Sequence, residues 1–260
     1  MRSLHRPDNL PDPGILDNHR PLVLQVERRL LLRGGLSLGM LTMLTGCDPE
    51  KDHEINAALR YVSTFNDHVQ LLLFNPRKLA PTYPESMVLQ PPRYNAYKDI
   101  KDLQPVDGTS WKLELAGLVA DKRAWTLQQI DALPKRQIIM KHVCVEGWDY
   151  IGQWSGVPLG DFLRRIGADL TAKYVAFNTA DMGGKLYGNI DMKTALHPQT
   201  LLATNYADGP IADPFGFPLR LRTSTKLGYK NPKWITAIEV TNTYPGGYWE
   251  NQGFNWFGGI

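Results

Sequence analysis

Cysteine is nearly absent from this chain: Cys47 and Cys144 are the only two in 260 residues. Two thiols cannot build the four-thiolate cages that hold structural zinc or iron–sulfur clusters. Charge of one sign is scarce as well. The formal net charge is +3, and the first 46 residues hold six Arg against four acidic residues, leaving 23 basic against 22 acidic side chains beyond them. That balance excludes the basic face of a nucleic-acid binder, so no nucleic-acid partner is expected. There is no internal repeat and no low-complexity tract. Long hydrophobic runs are missing too: the weakly apolar stretch Gly34–Gly46 has thirteen residues, short of the roughly 20 needed to cross a bilayer. What remains, 43% hydrophobic and 21% charged residues, suits a soluble globular protein with one substantial core.

The short apolar run has a context. "ERRLLLRGGLSLGMLTMLTGC" sets Arg28 and Arg29 ahead of it and ends in Leu44-Thr45-Gly46-Cys47. Paired arginines before an apolar core of this length look like a twin-arginine export signal. The ending resembles a bacterial lipobox, in which Cys47 becomes the lipidated first residue and tethers the protein to a membrane. The expectation is a periplasmic protein with an export signal over residues 1–46. The twin-arginine route carries folded cargo, which fits a protein that acquires a cofactor before export. With Cys47 lipidated, Cys144 is left single.

Residues 47–92 read as an arm. Apolar positions from Ile55 to Leu73 recur at three- and four-residue steps, giving an amphipathic helix with Asp52 as N-cap. The Pro-rich "NPRKLAPTYPESMVLQPPRYNAYKD" that follows reads as an extended segment wrapping a surface. The main domain, residues 93–260, has its first strand near Trp111, in "WKLELAG". "TLQQIDALP" has Thr126 and Gln129 at capping-box spacing, hence a short helix. "RQIIMKHVC", "KYVAFNT" and "WITAIEVTNT" read as strands, and "VPLGDFLRRIG" as a helix opened by Pro158 and closed by Gly167. Short strands, short helices and long loops predict a mixed α+β domain rather than regular βαβ winding. The aromatic, Gly-rich tail "YPGGYWENQGFNWFGGI" is expected to pack rather than dangle.

The chemistry centres on "KHVCVEGWDY", residues 141–150. His142 and Cys144 are two apart and share one face of a strand. The residues themselves leave three readings open: a buried structural cysteine, a nucleophile activated by His142, or a single thiolate ligand to a metal whose other donors come from a cofactor. The nucleophile reading is weakened because neighbours two apart on a strand rarely reach hydrogen-bond distance.

Taken together, "HVCVEGW", "WSGVPLGDFL", "KYVAFNT" and "GFPLRLRTSTKLGYKNPKWITAIEV" resemble, in order and spacing from about Arg93 to Thr243, the molybdopterin-dependent oxidoreductases of the sulfite oxidase superfamily. That superfamily includes the catalytic subunit of the periplasmic methionine sulfoxide reductase. The resemblance implies a sulfite-oxidase-like molybdopterin-binding domain of mixed sheets and short helices. It makes Cys144 the protein's molybdenum ligand, the other sulfur donors belonging to molybdopterin. It places Thr179 against the cofactor, and Arg220 with Asn231, Pro232 and Lys233 around the pterin and its phosphate. Asn95 and Tyr97 resemble an upstream pterin-contacting segment.

Lys141, His142 and Arg220 are candidates for polarising a substrate oxygen, and His142 is open between this role and that of a satisfied core histidine. Glu146 and Trp148 are expected to buttress the motif, and His197 to shape a turn. Arg220 and Arg222 are also open to being surface charges, and Lys226, Lys230 and Lys233 to forming a solvated basic face. The chain departs from the reductase at Phe215, where the family has an asparagine, and at Lys141-His142-Val143, where the family has arginines. The expected activity is oxygen-atom transfer, the reduction of an S- or N-oxide such as methionine sulfoxide. Electrons would pass through a redox partner such as a membrane heme protein or cytochrome. A sulfite-oxidising enzyme and a cysteine hydrolase using Cys144 and His142 are the alternatives.

Overall fold

The computed structural model describes residue 16 and residues 53–260, apart from 97, 98 and 104. Apart from Leu16, the expected export signal lies outside the described residues, as do Arg28, Arg29, Cys47, the expected N-cap Asp52 and Tyr97. The described chain falls into two compact units: residues 53–74 with 253–257, and residues 75–252 with 258–260.

The smaller unit is the predicted helix, α1 (His53–Leu73), with part of the aromatic tail. Asp67 is buried on the helix and its carboxylate accepts from the backbone amides of Trp256 (2.8 Å) and Phe257 (2.9 Å). Asn255 Nδ2 donates to both the carbonyl and the hydroxyl of Ser63, each at 2.9 Å. The Phe74 and Phe257 rings meet edge to face at 5.4 Å. The tail therefore packs, held by polar contacts as well as apolar ones. No helix among the described residues is long and apolar enough to cross a membrane.

The larger unit runs β1 (Lys112–Gly117), β2 (Trp125–Thr126), α2 (Leu127–Asp131), β3 (Arg136–Val143), β4 (Asp149–Pro158) and α3 (Leu159–Arg165). It continues through β5 (Tyr174–Thr179), β6 (Tyr187–Asp191), α4 (Met192–Ala195), β7 (Thr200–Tyr206), β8 (Gly209–Pro210), β9 (Arg220–Thr223), β10 (Ile235–Thr241) and α5 (Tyr248–Asn251). One sheet has the order β2-β1-β10-β5-β6; the other is β3-β4-β7, with β8 and β9 both pairing β7. Among the described strands, β1 and β10 pair in parallel and the other pairs are antiparallel. This is the mixed α+β architecture expected.

Local signals work where the chain is exposed. At α2 the Thr126 hydroxyl accepts from Gln129 N (3.2 Å) and Gln129 Oε1 accepts from Thr126 N (2.9 Å), a complete capping box. The chain turns out of α3 at Gly167, whose φ of +64° a side chain would oppose. The core lies on α3, between the two sheets: Phe162, Leu163 and Ile166 are fully buried among Leu113, Val175, Ile238, Leu202 and Leu221. Each such side chain contributes roughly 1.5–3 kcal/mol by leaving water.

The Pro-rich arm is extended and lies along the second sheet, as its composition predicts. Val88 bridges Ile151, Leu89 N donates to Ile151 O (2.9 Å), and the amide of Gln199 clasps Ala80 from both sides (2.8 and 3.0 Å). The Tyr206 hydroxyl donates to the Leu89 carbonyl. The arm thus leads residues 93–95 toward the end of the β3–β4 hairpin.

Candidate functional site

Cys144 opens the five-residue turn between β3 and β4. Its amide donates to Trp148 O (2.9 Å), and its carbonyl accepts from Gly147 N (3.2 Å). Gly147 has a φ of +85°, which favours glycine at that position. Cys144 is 5% exposed, and its sulfur accepts from Asn95 Nδ2 at 3.2 Å. The amides of Val145 and Glu146 also turn toward it, yet burial outweighs them and pushes the thiol above its ordinary pKa. Glu146 and Trp148 buttress the turn as expected, Trp148 Nε1 donating to Glu146 Oε2 at 2.8 Å. Arg93 covers the Trp148 ring, its guanidinium 4.4 Å from the centroid.

His142 is buried on the same face as Cys144, opposite Tyr150 of β4. Its ring lies 5.0 Å from that of Tyr150 and 5.8 Å from that of Trp148. Arg222 Nη1 reaches Nδ1 at 2.8 Å. A guanidinium can only donate, so Nδ1 accepts and the proton of the neutral ring sits on Nε2. Burial and then the charges of Arg222, Arg220 and Lys233 hold the imidazole far below its usual pKa. It is therefore a fixed neutral acceptor.

Lys141, the next residue back along β3, points elsewhere. Strand alternation turns it to the opposite face, where Val143 stands opposite Asp149, and its ammonium pairs with Asp149 Oδ2 at 3.3 Å. It does not join Cys144.

Arg220 and Arg222 alternate on β9, so both face the Trp154 ring, at 4.5 and 4.9 Å. Both are buried, which settles the surface alternative against them. Arg220 Nη1 donates to the carbonyl of Phe215 at 2.6 Å, so the backbone supplies a partner where the family has an asparagine. Burial brings Arg220 down to about 9. Asn231 is a clamp: its Oδ1 accepts from Arg222 Nη1 (3.1 Å) and Thr223 N (2.7 Å), and its Nδ2 donates to Leu227 O (2.9 Å). The carbonyl of Pro232 accepts from Leu221 N at 2.9 Å.

Lys233 lies 4.4 Å from the Trp234 ring and 5.4 Å from that of Tyr94, and donates to the Asn95 carbonyl. Burial first and then Arg220 bring it down to about 7, against an upward pull from Asp181. Asp181, which no sequence motif marks, belongs to this neighbourhood. Thr179 is buried with its hydroxyl tied to the 180–186 loop, donating to Leu186 O (2.7 Å) and accepting from Asp181 N (3.2 Å).

The other lysines are structural rather than solvated: Lys226 pairs with Asp191 (3.6 Å) and Lys230 with Glu250 (2.5 Å), all buried. His197 shapes its turn, Nε2 meeting Lys78 O at 3.0 Å.

Asn95 thus joins Cys144 to Lys233, Arg222 joins His142 to Asn231, and Arg220 shares the Trp154 ring with Arg222. Among the described residues no three His, Cys, Asp or Glu side chains gather into a metal cage. One cysteine set beside buried cations that lack carboxylate partners fits a cofactor that is anionic and brings the remaining metal donors itself.

Fold and site together define a cofactor-dependent oxidoreductase. The chain belongs to the family of the oxidoreductase molybdopterin binding domain, whose model matches residues 100–249, and its cofactor is molybdopterin with molybdenum. It is 53% identical over 232 residues to the putative protein-methionine-sulfoxide reductase subunit YedZ1 of Azospira oryzae, covering 89% of this chain and 87% of that protein. It is 34% identical over 154 residues to the protein-methionine-sulfoxide reductase catalytic subunit MsrP of Xanthomonas campestris pv. campestris, a match spanning 54% of this chain and 48% of MsrP. Among solved structures, the sulfane dehydrogenase SoxCD from Paracoccus pantotrophus is similar in fold, with a TM-score of 0.50 at 17% identity over 54% of this chain and 40% of that one.

Proposed function

We propose that the chain is an exported enzyme that reduces an S- or N-oxide, with protein-bound or free methionine sulfoxide as the substrate class. The observation that carries this reading is Cys144, buried at a hairpin tip with Asn95 on its sulfur and Arg220 and Lys233 nearby. The names of the two relatives, both methionine-sulfoxide reductase subunits, support the substrate class.

Bound molybdopterin supplies the redox centre at which an oxygen atom is exchanged. Cys144 would ligate the metal, and Asn95 holds the sulfur in place. Arg220, Lys233 and the Asn231 loop would hold the anionic pterin. Reducing a sulfoxide takes two electrons and two protons and releases one water. Without the cofactor, burial brings Lys233 Nζ down to about 7; an anionic pterin beside it favours the charged ammonium, so Lys233 binds rather than carries the proton in this reading. His142 carries no proton either, because Nδ1 is occupied by Arg222. Electrons come from a redox partner such as a membrane heme protein or cytochrome.

The hydrolase alternative fits the site poorly. A nucleophilic cysteine needs a depressed pKa and a basic partner, whereas burial raises Cys144 and His142 is held neutral. Export rests on the sequence: Arg28 and Arg29 ahead of the apolar run, with Cys47 as lipid anchor. Replacing both arginines with lysine should retain the protein in the cytoplasm, and Cys47→Ala should abolish incorporation of labelled lipid.

The test of the activity is metal analysis together with turnover. Purified from a molybdenum-replete host, the chain should carry near-stoichiometric molybdenum and reduce methionine sulfoxide with a reduced viologen dye, and Cys144→Ser should lose that turnover. Fully loaded protein that oxidises sulfite and leaves sulfoxides and N-oxides untouched would overturn the assignment.

A further inference from the structure

Arg222 has no exposed surface and no carboxylate partner among the described residues. Its Nη1 is used twice, by His142 Nδ1 at 2.8 Å and by Asn231 Oδ1 at 3.1 Å. Nε and Nη2, which form the opposite, side-on edge of the guanidinium, have no partner among the described residues. Arg220 Nε and Trp154 Nε1 are likewise buried without an acceptor, and the Trp154 ring lies within 4.9 Å of both guanidiniums. Four N–H donors on three neighbouring side chains therefore go unanswered. A buried donor without an acceptor is costly, and a buried guanidinium more so, because it does not escape by losing its proton.

His142 and Asn231 make the arrangement directional. Both hold the same nitrogen, so the free edge keeps one orientation. His142 is itself confined by the Tyr150 and Trp148 rings and by Gly228, where a Cβ would lie 2.9 Å from Nε2. Two parallel N–H bonds on one guanidinium edge match two oxygens of a single oxyanion.

We propose that Arg222, oriented by His142 and Asn231, binds an oxyanion through Nε and Nη2, with Arg220 as the second cation. The ligand is a phosphate, sulfate-like or carboxylate group. Its source is either the phosphate of the molybdopterin on which the proposed function rests or a free oxyanion entering beside it. Binding is independent of the direction in which the oxygen atom moves, so this assignment and the sulfoxide reaction fail separately.

The experiment is a sulfate titration read by thermal shift, at low millimolar concentration and with ionic strength balanced by chloride. It uses the full chain in two forms: loaded with cofactor, and produced in a host that makes none. The cofactor-free chain should show a saturable upward shift, lost in Arg222→Met. Should Arg222→Met not fold, Arg222→Lys keeps the charge without the fork and should weaken sulfate binding at least threefold. If the loaded protein does not respond and the variant's pterin content falls, the anion is the cofactor's phosphate. If the loaded protein responds and the variant keeps its pterin, the anion is free. No saturable response from the unmodified cofactor-free chain, or a response that the Arg222 variants leave unchanged, overturns the proposal.

Discussion

Asn95 Nδ2 donates to the sulfur of Cys144 at 3.2 Å, across 49 positions of sequence. The contact joins the end of the extended arm to the tip of the β3–β4 hairpin. Its neighbours fix it from both sides, Arg93 over Trp148 and Lys233 on the Asn95 carbonyl. The arm therefore supplies part of the site as well as covering a sheet.

A hydrogen bond to a metal-bound thiolate withdraws electron density and raises the metal's potential. A bond to a charged group contributes about 1.5 kcal/mol, or roughly tenfold in an equilibrium constant, which for a one-electron step is about 59 mV. Asn95→Leu should therefore leave molybdenum content unchanged and lower the one-electron potential by a few tens of millivolts, read by redox titration followed by electron paramagnetic resonance. An unchanged potential would show that Asn95 does not meet the sulfur in the loaded enzyme.

Lys233 gives the cofactor-free chain a pH dependence whose sign follows from its shift. Its folded pKa, about 7, lies below the ordinary 10.5. Between those values the unfolded chain holds the proton and the folded chain does not, so stability rises with pH across that window. Below about 7 both states are protonated and Lys233 contributes no slope. Denaturant titrations at about pH 6.5 and about pH 9 should show the increase, and Lys233→Met should show less of it. The difference between the two proteins isolates Lys233 from every other titrating group.

Asn231 does its work inside the protein. Its Oδ1 satisfies Arg222 Nη1 and Thr223 N, both buried. Asn231→Ala leaves those donors without this acceptor and should cost about 3 kcal/mol of stability. Asn231→Asp keeps the acceptor, adds a negative charge beside Arg222, and should lose the sulfate response described above.

The parts of this fold that were legible in sequence are those with one exposed face or a local signal. The capping box at Thr126 and Gln129, the end of α3 at Gly167, and β1 with its alternating burial all follow from nearest neighbours. Strands β4 and β7 did not show themselves, because eight of ten residues in the first and six of seven in the second are buried, leaving no alternation to read. The same covering hid Arg222. On an exposed strand it would be a surface charge, and only β9 lying beneath other layers makes it a buried cation. Cys144 and His142 were found from adjacency on one strand. Lys141 entered through the resemblance, as the residue standing where the family has arginines, and strand alternation turns it toward Asp149 instead. Asn95 entered only through family resemblance, since no local pattern links an arm to a hairpin tip.

Gly228 is where the positioning of Arg222 is most open to test. A Cβ there would lie 2.9 Å from His142 Nε2, 3.0 Å from Cε1 and 3.5 Å from the Val143 carbonyl. The imidazole has little room to yield, with the Tyr150 and Trp148 rings beside it and Arg222 on its far nitrogen. Gly228→Ala should therefore cost about 1–3 kcal/mol as overpacking and weaken sulfate binding by moving His142 off Arg222. Gly209→Ala is the control, since a Cβ there meets nothing within 4 Å, and its effect should stay within about 0.5 kcal/mol. Denaturant titration and the sulfate shift on both variants decide the matter. If Gly228→Ala matches Gly209→Ala in both, the ring has room to move and His142 does not fix the guanidinium.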